Sequence, residues 1–405
     1  MFKNIISTFF TRFFIALSNL IIAVLLSNFT GAAGRGEQSL IITLISLIII
    51  ITSIIGSSSI SYLLPRFRFM ALILPSYLWV ILVIFACFFV LPLTGLVPDE
   101  YYTDVCLLSL LLAIQNINSA VLISKQRIHA ANWVGFFQSL VIILVLLLYF
   151  LVLENHSIHA YLIALYAGYS ASLLLSFLLI TGYFEKVSRE SLSGITSAFK
   201  NLAVLGMYNQ VAVFTQVLSF RLSYYILDGY YGKESVGIYS NAVSIAESVW
   251  LVGRSIGTVQ HSKIVNSQDT LSSLNLTSRM NKLNLLISVL LLIVLSFIPS
   301  SWYVWIFGDE FADINRIIWT LGPGILFFGI VIILGYYFSS TGKHYVNALA
   351  SSAGLVITII LGFILIPAYE SYGAGITASI SYGITALIVY FFYRKQEKIN
   401  SVKIS

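Results

Sequence analysis

Four ionisable side chains, Arg12, Arg221, Glu247 and Arg254, stand inside stretches otherwise built almost wholly from aliphatic and aromatic residues. An ionised group in such surroundings is costly, so its presence is by default a functional hypothesis. Arginine offers five N–H donors in a planar fork that fits phosphate oxygens better than neutral ligands, so the three arginines point to recognition of an anion. The bland alternative is that each extends its guanidinium to a membrane surface. Glu247 lies too deep for that, and suits ion coupling, gating or an internal ion pair. Asp228 is a second acid of the same kind. The amides Asn19, Gln115, Asn118, Gln138 and Gln210 suit contact with sugar hydroxyls, or equally contact between helices.

Helical spacing groups these residues, because seven residues make almost two turns and return a side chain to nearly the same face. Ser240, Ser244, Glu247, Arg254 and Thr258 then form one polar stripe. Gln210, Arg221 and Asp228 form a second, and Arg12 with Asn19 a third. Stripes of this kind line a cavity or pack against one another; they do not face lipid.

The elements that must position them are twelve apolar stretches, near residues 8–29, 39–64, 70–91, 105–124, 133–153, 160–182, 201–227, 236–259, 283–306, 317–340, 345–367 and 374–393. Each has roughly the 20 residues that a helix needs to cross a ~30 Å hydrocarbon layer. Of the 22 Lys and Arg residues, sixteen fall in one alternate set of connections, including Arg66, Lys125, Lys186, Lys263, Lys282, Lys343 and Arg394. The opposite set holds only Arg35, Lys233 and Arg316. Basic residues mark the cytoplasmic side, so both termini are expected there. The formal charge of +6 is then an orientation signal with a contribution from anionic lipid contact, and calls for no nucleic acid. With 59% hydrophobic and 9% charged residues, a water-soluble fold is excluded. The fold class is all-α and polytopic.

No Ser/His/Asp arrangement, carboxylate pair, metal-ligand spacing or phosphate-cradling glycine loop occurs, so no enzyme activity, metal or cofactor is expected. Cys87 and Cys106 read as small buried residues. Tyr224, Tyr225, Tyr230, Tyr231, Trp302 and Trp305 gather at the expected outer boundary, as an aromatic belt does.

A repeat divides the chain. Gly31-Ala32-Ala33-Gly34-Arg35 after the first span is echoed by Gly229-Tyr230-Tyr231-Gly232-Lys233 after the seventh. Asp99-Glu100-Tyr101 is echoed by Asp309-Glu310-Phe311, again six spans on. Two bundles follow, residues 1–182 and 201–405, joined by a cytoplasmic linker at 183–200. Two such bundles suit alternating access.

These residues resemble the Wzx-type oligosaccharide flippases of bacterial polysaccharide biosynthesis, within the superfamily of multidrug and toxin extruders. The resemblance is carried by Gly31–Gly36, by Asp228 and Gly237-Ile238-Tyr239-Ser240-Asn241-Ala242, by Ile306-Phe307-Gly308-Asp309-Glu310-Phe311, and by Tyr372-Gly373-Ala374-Gly375-Ile376-Thr377-Ala378. It implies a MATE-like fold in the bacterial inner membrane. It also implies transfer of undecaprenyl-pyrophosphate-linked oligosaccharide, an O-antigen or capsule repeat unit, from the cytoplasmic to the periplasmic leaflet. Membrane lipids, a polysaccharide polymerase and a chain-length regulator are the implied partners. Arg12, Arg221 and Arg254 would then meet diphosphate or acidic sugar. Two alternatives stay open: a cation-coupled multidrug exporter, although the first span here carries Arg12 and no acid, and a membrane polysaccharide polymerase, although no large outer loop is present.

Overall fold

The computed structural model describes residues 2–64, 66–96, 100–184, 194–266 and 269–402; side chains are described from Phe14 to Ile399 within these ranges, except at 58, 61, 208 and 209. Almost all of the described chain is helical. The helices are α1 (Phe2–Thr52), α2 (Ser57–Leu63), α3 (Phe69–Thr94), α4 (Tyr102–Ser124), α5 (Ile128–Leu147), α6 (Ile158–Ile180) and α7 (Ile195–Glu247). They continue with α8 (Trp250–Val265), α9 (Thr270–Phe297), α10 (Ser300–Phe307), α11 (Ile314–Ser340) and α12 (His344–Val402). Among the described residues, nine helices are long and apolar enough to cross a membrane.

Three of these are far longer than one crossing: α1 has 51 residues, α7 has 53 and α12 has 59. A straight helix of that length would extend well over twice the ~30 Å hydrocarbon layer. Each is broken at a single non-helical residue: Gly31 (φ 71°, ψ −173°), Gly232 (φ 79°, ψ −179°) and Glu370 (φ 51°, ψ −131°). Contacts show that α12 folds back on itself. The Thr358 hydroxyl donates to Ser381 Oγ at 2.8 Å, Ser381 Oγ donates to the Gly354 carbonyl at 2.8 Å, and a Cβ at Gly373 would stand 2.1 Å from the Leu365 carbonyl oxygen. In α7, Arg221 reaches Glu247 and Tyr224 stacks edge-on against Tyr239 across the Gly232 break. The connection expected at residues 30–38 is therefore a one-residue turn within α1.

The chain forms two compact units, Met1–Thr30 with Glu37–Phe214, and Gly31–Gly36 with Thr215–Ser405. In the first, an apolar core gathers Leu26, Ile41, Ile45, Leu72, Val105, Leu122, Leu146 and Phe150. Hydrocarbon on the outside gives helices little hydrophobic drive to associate, so polar pairs and close backbone approach hold them together. The Tyr77 hydroxyl donates to Asn118 Oδ1 at 2.5 Å, and Asn118 Nδ2 donates to Ser176 Oγ at 2.9 Å. The start of α7 is held in this unit, since a Cβ at Gly206 would stand 1.7 Å from the Ile54 carbonyl oxygen and Ser59 Oγ donates to the Leu202 carbonyl. Residues 185–193 of the expected linker lie outside the described residues.

In the second unit, Phe220, Trp250, Phe328 and Tyr382 interlock with ring centroids 4.8–5.8 Å apart, tying α7, α8, α11 and α12 together. The Trp250 indole N–H donates to the Ile325 carbonyl at 2.9 Å, which satisfies a polar group that burial would otherwise penalise.

Candidate functional site

In the second unit, Arg35, Arg221 and Glu247 stand on the segments that turn at Gly31 in α1 and at Gly232 in α7. Gly31 and Gly232 share nearly the same backbone conformation, one open essentially only to glycine. Five residues beyond each stands another glycine, Gly36 and Gly237, and these two cross. A Cβ at Gly36 would lie 1.8 Å from the Lys233 carbonyl oxygen, and one at Gly237 would lie 1.9 Å from the Ala32 carbonyl oxygen. The equivalence is reciprocal, and it places the repeat in a register different from the expected one. Gly31 matches Gly232, not Gly229, because the turn conformation and not the letter pattern is what recurs. Just beyond the first turn, the Ala32 N–H donates to the Glu310 carboxylate, an acid at the exposed start of a helix where the backbone N–H groups favour negative charge.

This crossing carries Arg35 inward. Expected in an outer loop, Arg35 is 6% exposed. Its Nε donates to Asn241 Oδ1 at 2.7 Å and its Nη2 to Ser244 Oγ at 3.3 Å. Sequence reading missed it because it follows a glycine-rich run that resembles a connection; the arginine in that run was the available signal.

Arg221 and Glu247 form a two-pronged pair, Nη1 to Oε1 at 2.8 Å and Nη2 to Oε2 at 2.9 Å. Their side chains keep 25% and 16% exposure. Tyr224, expected in the outer aromatic belt, is instead buried at 4% exposure, and its hydroxyl accepts from Arg221 Nη1 at 3.3 Å. Tyr230, Tyr231, Trp302 and Trp305 do remain exposed. Arg35, held by Asn241 and Ser244, and Arg221, held by Glu247, thus bring two guanidiniums to the segments that follow and precede the turns. Parallel N–H donors of this kind recognise phosphate or carboxylate oxygens.

The remaining candidates scatter. Arg254 is exposed, and the expected stripe from Ser240 to Thr258 is interrupted, since α7 ends at Glu247 and α8 begins at Trp250. The turn at Ser248 and Val249 shifts the phase of everything after it. Asp228 is half-buried, about one helical turn before the Gly232 break. Gln210 belongs to the first unit and Arg221 to the second. Asn118 is fully buried and engaged by Tyr77 and Ser176, so its amide serves helix packing. Gln115 donates to Ser119 Oγ at 3.2 Å, and Gln138 Oε1 accepts from Ser172 Oγ at 3.3 Å. Asn19 is exposed. Arg12 lies on α1, but its side chain is outside the described residues.

No family model matches the chain. It is 25% identical over 300 residues to the capsular polysaccharide biosynthesis protein CapF of Staphylococcus aureus, covering 72% of this chain and 75% of that one. In structure it is similar to the lipid II flippase MurJ in an inward closed conformation, with a TM-score of 0.75, 16% identity, and coverage of 97% of this chain and 88% of that one. It is similar too to a multidrug resistance MATE family transporter of the MOP superfamily in an inward-facing conformation, with a TM-score of 0.74, 12% identity and 96% coverage of both chains. These solved neighbours are transporters, not enzymes. The chain is a multi-pass helical membrane protein with the fold of the MOP-superfamily transporters, and its sequence is similar to that of a capsular polysaccharide biosynthesis protein.

Proposed function

We propose that the protein flips undecaprenyl-pyrophosphate-linked oligosaccharide, an O-antigen or capsule repeat unit, from the cytoplasmic to the periplasmic leaflet of a bacterial inner membrane by alternating access. The observation that carries this reading is the pair of guanidiniums, buried Arg35 and the Glu247-bound Arg221, set among membrane-spanning helices. A lipid-linked diphosphate presents the anionic oxygens that such donors match, while its hydrocarbon tail stays in the bilayer. The similarity to a capsular polysaccharide biosynthesis protein supports a glycan cargo. Arg221 holds Glu247 until an anion competes for the guanidinium, and Glu247 then becomes free to take up a proton or cation. Asp228, on the same helix as Arg221 and Glu247, serves gating.

The fold favours a second reading, a cation-coupled drug exporter. A site that binds cationic drugs needs an uncompensated acid, whereas the central acid here is neutralised by Arg221.

Deleting the gene and quantifying lipid-linked oligosaccharide by extraction and mass spectrometry tests the proposal. Accumulation that wild type reverses and Arg221→Ala does not is the expected result. Normal oligosaccharide turnover in the deletion strain, with altered drug sensitivity, would favour the exporter.

A further inference from the structure

The basic end of the second unit contains a small cavity, part polar and part apolar in its lining, that the transport reading does not use. It has a volume of about 140 Å³ and lies where α9, α11 and α12 meet, lined by Ser278, Asn281, Lys282, Tyr390, Arg394 and Glu397 among others. Arg394 Nη1 donates to Glu397 at 2.7 Å across one helical turn, which neutralises the carboxylate and leaves the other guanidinium N–H groups to face a ligand. Lys282 has no ion-pair partner among the described residues and supplies the remaining charge. The Asn281 Oδ1 atom is buried and has no hydrogen-bond partner among the described residues, although a buried acceptor left unpaired is costly.

We propose that this cavity binds the headgroup of an anionic phospholipid bearing hydroxyl groups, phosphatidylglycerol in chemical class. Phosphodiester oxygens accept from Lys282 Nζ and Arg394, with the Ser278 and Tyr390 hydroxyls as further donors. A glycerol hydroxyl of the headgroup donates to Asn281 Oδ1 and satisfies it. Charge complementarity fixes the occupant: the sequence places Lys282 and Arg394 on the cytoplasmic face, with Arg279, Lys395 and Lys398 close by in the chain. Basic pockets between membrane helices on that side suit anionic headgroups. A zwitterionic phosphatidylcholine brings no hydroxyl donor and a cationic tip that Lys282 repels.

Native mass spectrometry of the full-length protein in detergent, titrated with phosphatidylglycerol, phosphatidylcholine or inorganic phosphate, provides the test. Phosphatidylglycerol is expected to bind at least about tenfold more tightly than phosphatidylcholine. The double variant Lys282→Ala with Arg394→Ala is expected to abolish that preference, Asn281→Leu to weaken it, and Lys282→Arg to keep it. The exposed Arg394–Glu397 pair contributes little to folding, and an unchanged melting temperature in lipid-free detergent checks this. Equal binding of the two lipids, or an unaltered preference in the double alanine variant, overturns the proposal. Displacement of the lipid by an equal concentration of inorganic phosphate also overturns it, and would make the cavity a soluble-anion site.

Discussion

At the scale of single residues, the account rests on which charges are paired. Removing one member of a buried ion pair strands the other, at about 3–5 kcal/mol when both are fully buried. Arg221 and Glu247 keep some exposure, so Glu247→Gln is expected to cost about 1–3 kcal/mol by the same reasoning. Replacing both by leucine removes the stranded charge. The double variant should melt within a few degrees of wild type in detergent yet transport nothing; recovery of transport with recovery of stability would reduce the pair to a structural tie. Arg35→Lys keeps the charge but loses the fork that reaches Asn241 and Ser244 together. Its melting temperature should change little while its transport rate falls at least about tenfold, a ratio equivalent to ~1.4 kcal/mol. The Arg221 and Glu247 positions are legible in the sequence, because charge in an apolar run stands out. Their pairing is not, because it depends on α7 folding back at Gly232, and no spacing within one helix encodes a contact between residues 26 apart.

At the scale of elements, the one-residue turns govern which side chains meet. Gly31 and Gly232 hold a conformation that other residues enter only at a cost of about 1–3 kcal/mol. Gly31→Ala should lower the melting temperature and weaken the Arg35 contacts together. Gly237→Ala should be at least as damaging for a different reason, since its Cβ has no room beside the Ala32 carbonyl oxygen. A Gly237→Ala protein as stable as wild type would contradict the observed crossing. Most apolar stretches and their approximate ends could be read directly. The ninth, expected at 283–306, is instead α9 (Thr270–Phe297) and α10 (Ser300–Phe307), because the polar first half of α9 is helical too and Pro299 breaks the apolar run. An internal repeat could be read as well. Its register could not: Gly229 and Gly232 are identical letters, and only the backbone shows that Gly232 makes the turn. The interruption after Glu247 was equally hidden, since Ser248 and Val249 continue an ordinary apolar pattern.

At the scale of the whole molecule, the segregation of Lys and Arg predicts that both termini face the cytoplasm. With Cys87 and Cys106 replaced by alanine, a single cysteine at Tyr230 or Trp305 should react with a membrane-impermeant maleimide added outside intact cells, and one at Lys398 should react only after permeabilisation. The reverse pattern would invert the protein. Fold class was the most legible property, since hydropathy and charge alone exclude a soluble domain. The cargo was the least legible, because a guanidinium matches any suitably spaced anionic oxygens.

The most direct test of the central claim uses proteoliposomes containing purified protein and undecaprenyl-pyrophosphate-linked oligosaccharide, with a membrane-impermeant glycosidase outside. The measurement is the rate at which protected oligosaccharide becomes accessible. Wild type should convert the protected pool, and a variant with both Arg35→Lys and Arg221→Ala should do so at least about tenfold more slowly, a loss of ~1.4 kcal/mol or more. Equal rates with and without the protein, or with and without the two arginines, would contradict the account.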